Sequence, residues 1–172
     1  MAEALAFREI APNDIDELAA LVADAFVSYR AFAPADWQPP SASEQVRVLQ
    51  GWIADPDFWG ELASGERSLV GHATFIPAMR HSFQAVPEPA LAHLGHLFVE
   101  PRYWGSGVAA QLLGRAMTAA AARGFAAMRL FVPVGQARAR RFYTREGFIV
   151  VGEPFDFGLG LPVLEYQRLL QH

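Results

Sequence analysis

The run ALAHLGHLFV, Ala90 to Val99, and the segment EPRYWGSGVAAQLL behind it constrain this chain more than any other feature. The run has the composition of a strand, and Pro101 ends it, because proline has no N–H to give a central ladder. Trp104-Gly105-Ser106-Gly107-Val108-Ala109 then leads into a stretch where Val108, Leu112, Ala116 and Ala120 recur at helical spacing, closed by a glycine cap at Gly124. A strand, a glycine loop and a helix follow. Glycines let several backbone N–H groups turn inward together, and the helix dipole adds partial positive charge, so the loop suits a pyrophosphate. A plain tight turn also needs small residues. GSGVAA loosely fits a dinucleotide fingerprint, but the loop lies past mid-chain and no Asp or Glu ends the strand Met128 to Val132 to take a ribose hydroxyl.

The rest of the chain reads as alternating strands and helices. Leu5 to Ile10 alternates as a half-buried strand, and Pro12-Asn13-Asp14 turns into a helix whose apolar stripe is Ile15, Leu18, Val22 and Ala25. Tyr29 to Pro40 reads as an irregular connection, followed by a helix from Ser43 to Ala54. Phe58 to Ala63 and Ser68 to Ile76 are strand-like around a Ser64-Gly65-Glu66 turn, and residues 77–89 read as a loop. After the glycine-loop helix come a strand at Met128 to Val132 and a helix from Arg138 to Glu146. Strands at Phe148 to Val151 and Val163 to Leu170 flank a loop from Gly152 to Pro162. The order predicts a layered α/β domain.

Composition excludes several chemistries. With no cysteine, an acyl-cysteine intermediate, a disulfide and a thiolate metal site are all impossible. A net charge of −4 argues against nucleic acid as a partner. The N-terminal stretch MAEALAFREIAPNDIDEL lacks the pattern of a signal peptide and no run reaches membrane-spanning length, which predicts a cytoplasmic protein with no membrane partner.

The run LFVEPRYWGSGVAAQLL, followed by QARARRFYTREGF, resembles the two adjacent signatures of the GNAT acetyltransferase superfamily. The resemblance implies one α/β domain over residues 1–172, with a mixed central sheet of about six to seven strands flanked by about four helices. It assigns coenzyme A binding to residues 94–124 and a second motif to 128–148. In the loop pattern Q/R-x-x-G-x-G/A, Gly107 and Ala109 fill the last two motif positions, with Gly105, Ser106 and Val108 between, while Trp104 stands where Gln or Arg is usual. The second pattern, N-x-x-A-x-x-F-Y-x-x-x-G-F, is met by Ala139, Phe142, Tyr143, Gly147 and Phe148, with Gln136 at the Asn position. The resemblance further implies that backbone groups of Leu97, Phe98 and Val99 pair with the pantetheine arm, and that acetyl-CoA donates the acyl group without a metal.

Amide formation requires a base for the amine and an acid for the leaving thiolate. Tyr143 matches the family tyrosine near the thioester sulfur and is the expected acid. His93 occupies a position where small-amine members carry a Glu or His base, and an imidazole suits that task near neutrality. His96, Glu100, His72 and water are the alternatives. The spacing of His93 and His96 predicts opposite faces of a sheet, so that they do not chelate a metal together. Arg138, Arg140, Arg141 and Arg145 crowd one short helix, where most of them form a solvated face and one or two meet a 3′-phosphate. Phe26, Tyr29, Phe32 and Trp37, with Phe155 and Phe157, are expected to choose the acceptor. The reading is direct acetyl transfer to a primary amine of a small molecule, in a chain that could pair as a homodimer. Its alternatives are a protein N-terminal or lysine acetyltransferase and a non-catalytic coenzyme A binder.

Overall fold

The computed structural model describes residues 4–66, 68–79 and 87–171. Its elements are β1 (Ala6–Glu9), α1 (Ile15–Val27), α2 (Ala42–Ile53), β2 (Trp59–Ser64), β3 (Leu69–Met79), β4 (Pro87–Val99), α3 (Val108–Ala122), β5 (Ala127–Pro133), α4 (Ala137–Arg145), β6 (Ile149–Phe155) and β7 (Val163–Leu169). The strands form one seven-stranded mixed sheet in the order β1-β2-β3-β4-β5-β7-β6. The predicted α/β class and element order match this arrangement.

Several boundaries differ from the sequence reading. Residues 77–79 and 87–89, read as loop, belong to β3 and β4, and residues 80–86 lie outside the described residues. Pro77 is accommodated because the β3–β4 register shifts between Pro77 and Met79, where a missing ladder donor does least harm. Helix α2 starts at Ala42, because Ser41 accepts from the Glu44 N–H while the Glu44 carboxylate accepts from Ser41 N–H at 2.6 Å. β6 runs on through Gly152 to Phe155, past the end set by the glycine. The connection after α1 contains a single 3-10 turn, Ser28–Ala31.

The two faces of the sheet are covered differently. Ala73, Phe75, Ala92, Leu94, Met128 and Leu130 pack with Val108, Leu112 and Ala116 of α3 and with Tyr143 of α4. On the other face Leu62 packs with Leu18 and Ala19 of α1 and Leu49 of α2. The helical stripes read from sequence are therefore the buried faces: Leu18 and Val22 of α1 and Leu112, Ala116 and Ala120 of α3 are wholly buried.

One irregularity shapes the centre. On β3, Thr74 and Phe75 face His96 and Leu94, so Gly95 is an extra residue, a bulge in β4. A Cβ at Gly95 would stand 2.4 Å from Cη2 of Trp52, so only glycine lets α2 approach this closely. Gly95→Ala is expected to lower stability by about 1–3 kcal/mol, as overpacking a tight core does. A urea midpoint equal to that of the native chain would show that the bulge relaxes without loss.

Candidate active site

The site begins where β4 and β5 separate. These parallel strands pair only at Leu91 with Ala127, Ala92 with Met128 and His93 with Arg129. Beyond that, β4 continues to Val99 on β3 alone, and β5 to Pro133 on β7 alone. The Glu100 N–H donates to Val70 O at 2.8 Å, so alternation along the strand turns the N–H and C=O of Val99 and Leu97 toward the gap. An extended chain lying there would be held as an added strand.

The glycine loop stands at the end of β4. Gly105 and Gly107 have φ of +83° and +91°, conformations that side chains strain to adopt, and a Cβ on either would meet nothing within 4 Å. Gly107 is the N-cap of α3, which leaves the N–H groups of Val108, Ala109 and Ala110 without helical acceptors and aimed at the space ahead of the helix. The open cradle and these donors fit a pyrophosphate. Ser106 is turned back, its hydroxyl donating to Tyr103 O at 2.5 Å. Trp104 replaces the usual side chain with an indole that donates to Val99 O at 2.8 Å and lies under the Arg138 guanidinium at 4.1 Å. One acceptor of the exposed rung is thus engaged by the loop itself, although a carbonyl has a second lone pair to offer.

Tyr143 lies inside α4, 9 % exposed, with its ring against Phe142, Phe148 and Tyr166. Burial pushes its phenol well above the usual value, and nearby Tyr29 pushes further in the same direction, so the hydroxyl keeps its proton at neutral pH. Tyr29 is itself raised to about 12 by burial, against a hydrogen bond with Gln136 that lowers it. Gln136 and Tyr143 of the second motif therefore meet Tyr29 from the connection after α1. Ala139 and Phe142 pack against the core beneath them. Arg140 is occupied by Val134 O at 3.1 Å.

His93 and His96 share one face, which corrects the opposite faces expected from their spacing. They lie across from Ile76 and Thr74, two residues apart on β3, because the bulge at Gly95 resets the alternation. His96 is buried with its Nδ1 3.3 Å from Nε2 of His72, beside Trp52 and Phe98. Burial pushes His72 down to about 3 and His96 well below its usual value, with His72 and His93 adding to the latter. His93 is only half-buried, its ring 4.7 Å from Phe131. Its Nδ1 accepts from Nε of Arg129 at 3.3 Å. Arg129, inside the strand MRLFVP, belongs to neither sequence motif pattern and is 5 % exposed.

The expected acceptor aromatics form two groups. Tyr29 packs with Phe26, Phe32 and Trp37, and Phe26 reaches Phe98 at 5.9 Å. Phe155 and Phe157 pack on Phe131 at 5.0 and 5.3 Å. The Trp37 indole donates to Leu159 O at 2.9 Å, tying the connection after α1 to the β6–β7 loop.

The parting strands, the glycine cradle and the buried phenol together form the candidate site. The chain belongs to the acetyltransferase (GNAT) family, whose model matches residues 22–148. Its structure is similar to an acetyltransferase from Thermus thermophilus (TM-score 0.70, 25 % identity, 96 % of this chain and 97 % of that one). It also shares the fold of a Salmonella typhimurium structure solved with acetyl-CoA (TM-score 0.72, 18 % identity, 98 % of this chain and 95 % of that one). A curated relative is the mycothiol acetyltransferase of Beutenbergia cavernae, 29 % identical over 132 residues that make up 76 % of this chain and 41 % of the relative. The chain spans under half the length of that relative.

Gly107→Glu is expected to abolish coenzyme A binding measured by calorimetry, since a strained backbone and a negative charge would enter the cradle. A folded variant with unchanged affinity would remove the loop from the site. The buried histidine pair sets a pH dependence. Unfolded histidines titrate near 6.5, while His72 and His96 stay neutral in the fold, so their contribution is full above about 6.5 and lost as pH falls toward 3. Urea midpoints are expected to fall with acidification through this window, and His72→Leu to flatten that slope.

Proposed function

We propose that this chain transfers an acetyl group from acetyl-CoA directly to a primary amine of a small molecule. The observation that carries the reading is the opening between β4 and β5, lined by the rungs of Leu97 and Val99 and ended by the Gly107 cradle. Acetyl-CoA, bound along Leu97, Phe98 and Val99 and at residues 104–109, supplies an activated thioester. Gln136, Ala139 and Phe142 complete its wall beside α4.

The chain's own part is to place the amine and to deliver a proton. The amine nitrogen bonds to the carbonyl carbon as the C–S bond breaks. Tyr143 Oη gives its proton to the departing sulfur, the proton lost by nitrogen passes to water, and water restores the phenol. No acyl-enzyme forms, in keeping with a chain that lacks cysteine. His93, beside Phe131 where the strands part, is the side chain proposed to serve the acceptor. The Trp37–Leu159 hydrogen bond favours a small acceptor, because it ties together two segments that an extended peptide would need apart. The relative named for mycothiol is consistent with that class. The reading places the reaction in the cytoplasm and needs no metal.

Acetyl-CoA or coenzyme A is expected to raise the melting temperature, and NAD to leave it unchanged. A panel of small amines assayed beside peptides is expected to find turnover among the small amines; turnover with peptides alone would overturn the acceptor class. Tyr143→Phe keeps the ring packing and is expected to lower kcat by about 10²-fold or more at all pH values, with little change in acetyl-CoA affinity. An unaltered kcat would remove Tyr143 from proton transfer.

A further inference from the structure

The glycine loop brings no side-chain charge of its own. Residues 104–110, WGSGVAA, offer a diphosphate only backbone N–H groups and the field of the helix end. Arg102, just ahead of the loop, is engaged by Glu100 and by the Ser68 hydroxyl. A cation reaches the loop from α4 instead, for Arg138 lies over the Trp104 ring at 4.1 Å. That ring is itself fixed, its N–H donating to Val99 O at 2.8 Å. The other arginines of α4 are placed differently. Arg140 donates to Val134 O at 3.1 Å and to Tyr166 Oη at 3.4 Å, Arg141 lines a cavity with Thr144 and Tyr166 between α4 and β7, and Arg145 lies over Phe142 beside Glu146. A ring face attracts a guanidinium without consuming any of its N–H groups. Among the described residues no hydrogen bond or ion pair joins Arg138 to another side chain, so its donors remain for a ligand.

We propose that Arg138, carried on the Trp104 ring, is a coenzyme-binding residue that supplies to the diphosphate the side-chain charge the glycine loop lacks. The inference rests on acetyl-CoA as the donor of the proposed function. A guanidinium meets phosphate oxygens through paired N–H donors, and it is weakly hydrated enough to give up water for that contact. Trp104 is the platform. Tied to the end of β4 and half-exposed, it sets the height at which the guanidinium stands beside the cradle that precedes α3. Strand, loop and α4 thus meet on one indole, and the cation is placed before the ligand arrives.

Binding calorimetry on the full chain tests this with two ligands, coenzyme A and 3′-dephospho-coenzyme A, which keeps the diphosphate and lacks the 3′-phosphate. Arg138→Ala is expected to weaken both by the same factor of about tenfold or more, the size of a charge-assisted hydrogen bond. A loss confined to coenzyme A would assign Arg138 to the 3′-phosphate and overturn the proposal, as would unchanged affinity for both ligands. Adding Trp104→Arg to Arg138→Ala returns a cation to the loop and is expected to recover most of the lost affinity for both ligands. A double variant as weak as Arg138→Ala would sink the exchange of charge between α4 and the loop. Both side chains are exposed, so the unliganded variants are expected to melt near the native chain. Should Arg138→Ala melt well below it, Arg138→Gln keeps the apolar stem and answers the same question. Failure of the native chain to bind either ligand would remove the coenzyme reading itself, whereas native binding with no response to Arg138 removes this inference alone.

Discussion

The site depends on how few hydrogen bonds join β4 to β5. After three register pairs the strands part, and each keeps only its outer neighbour. A buried unpaired peptide group is destabilising by roughly 1–3 kcal/mol, so a gap of this kind persists only where a ligand or solvent can satisfy the rungs. The bulge at Gly95 lies next to the point of separation. It bends β4 away from a straight ladder and brings His93 and His96 onto one face. The same extra residue lies where the gap between β4 and β5 opens and gathers the two histidines on one face.

Most elements were legible in the sequence because their signals are local. Alternation, helical spacing and the glycine and proline breaks located all seven strands and four helices, and the two motifs marked the loop and α4. Signals at element ends were weaker. Pro77 and Gly152 read as breaks, yet tertiary pairing carried β3 and β6 past them. The Ser41–Glu44 capping box was present in the sequence and would have corrected the start of α2.

What the sequence could not reveal was which polar groups meet. A spacing of three between His93 and His96 predicts opposite faces for a regular strand, and nothing local announces the bulge that reverses this. Arg129 lies 36 positions from its histidine partner, and Tyr29 reaches Gln136 from the far side of the sheet. Such pairings arise from topology. Chemistry read from residue type alone makes His93 a base. The structure adds a partner that residue type does not announce, the Arg129 guanidinium at its Nδ1.

Trp104 illustrates what a departure from a family pattern can add. Of the four tryptophans, Trp37 and Trp59 are nearly buried and Trp52 is partly covered, whereas Trp104 is 49 % exposed beside the glycine cradle. A guanidinium lies over its ring, and its N–H is bonded to the end of β4. Light emitted by an indole responds to the charge and water around it, so the chain carries an optical reporter at the mouth of the proposed coenzyme site. The arrival of a doubly charged diphosphate beside Arg138 would change the field on that one ring, while the three more sheltered indoles supply a steady background.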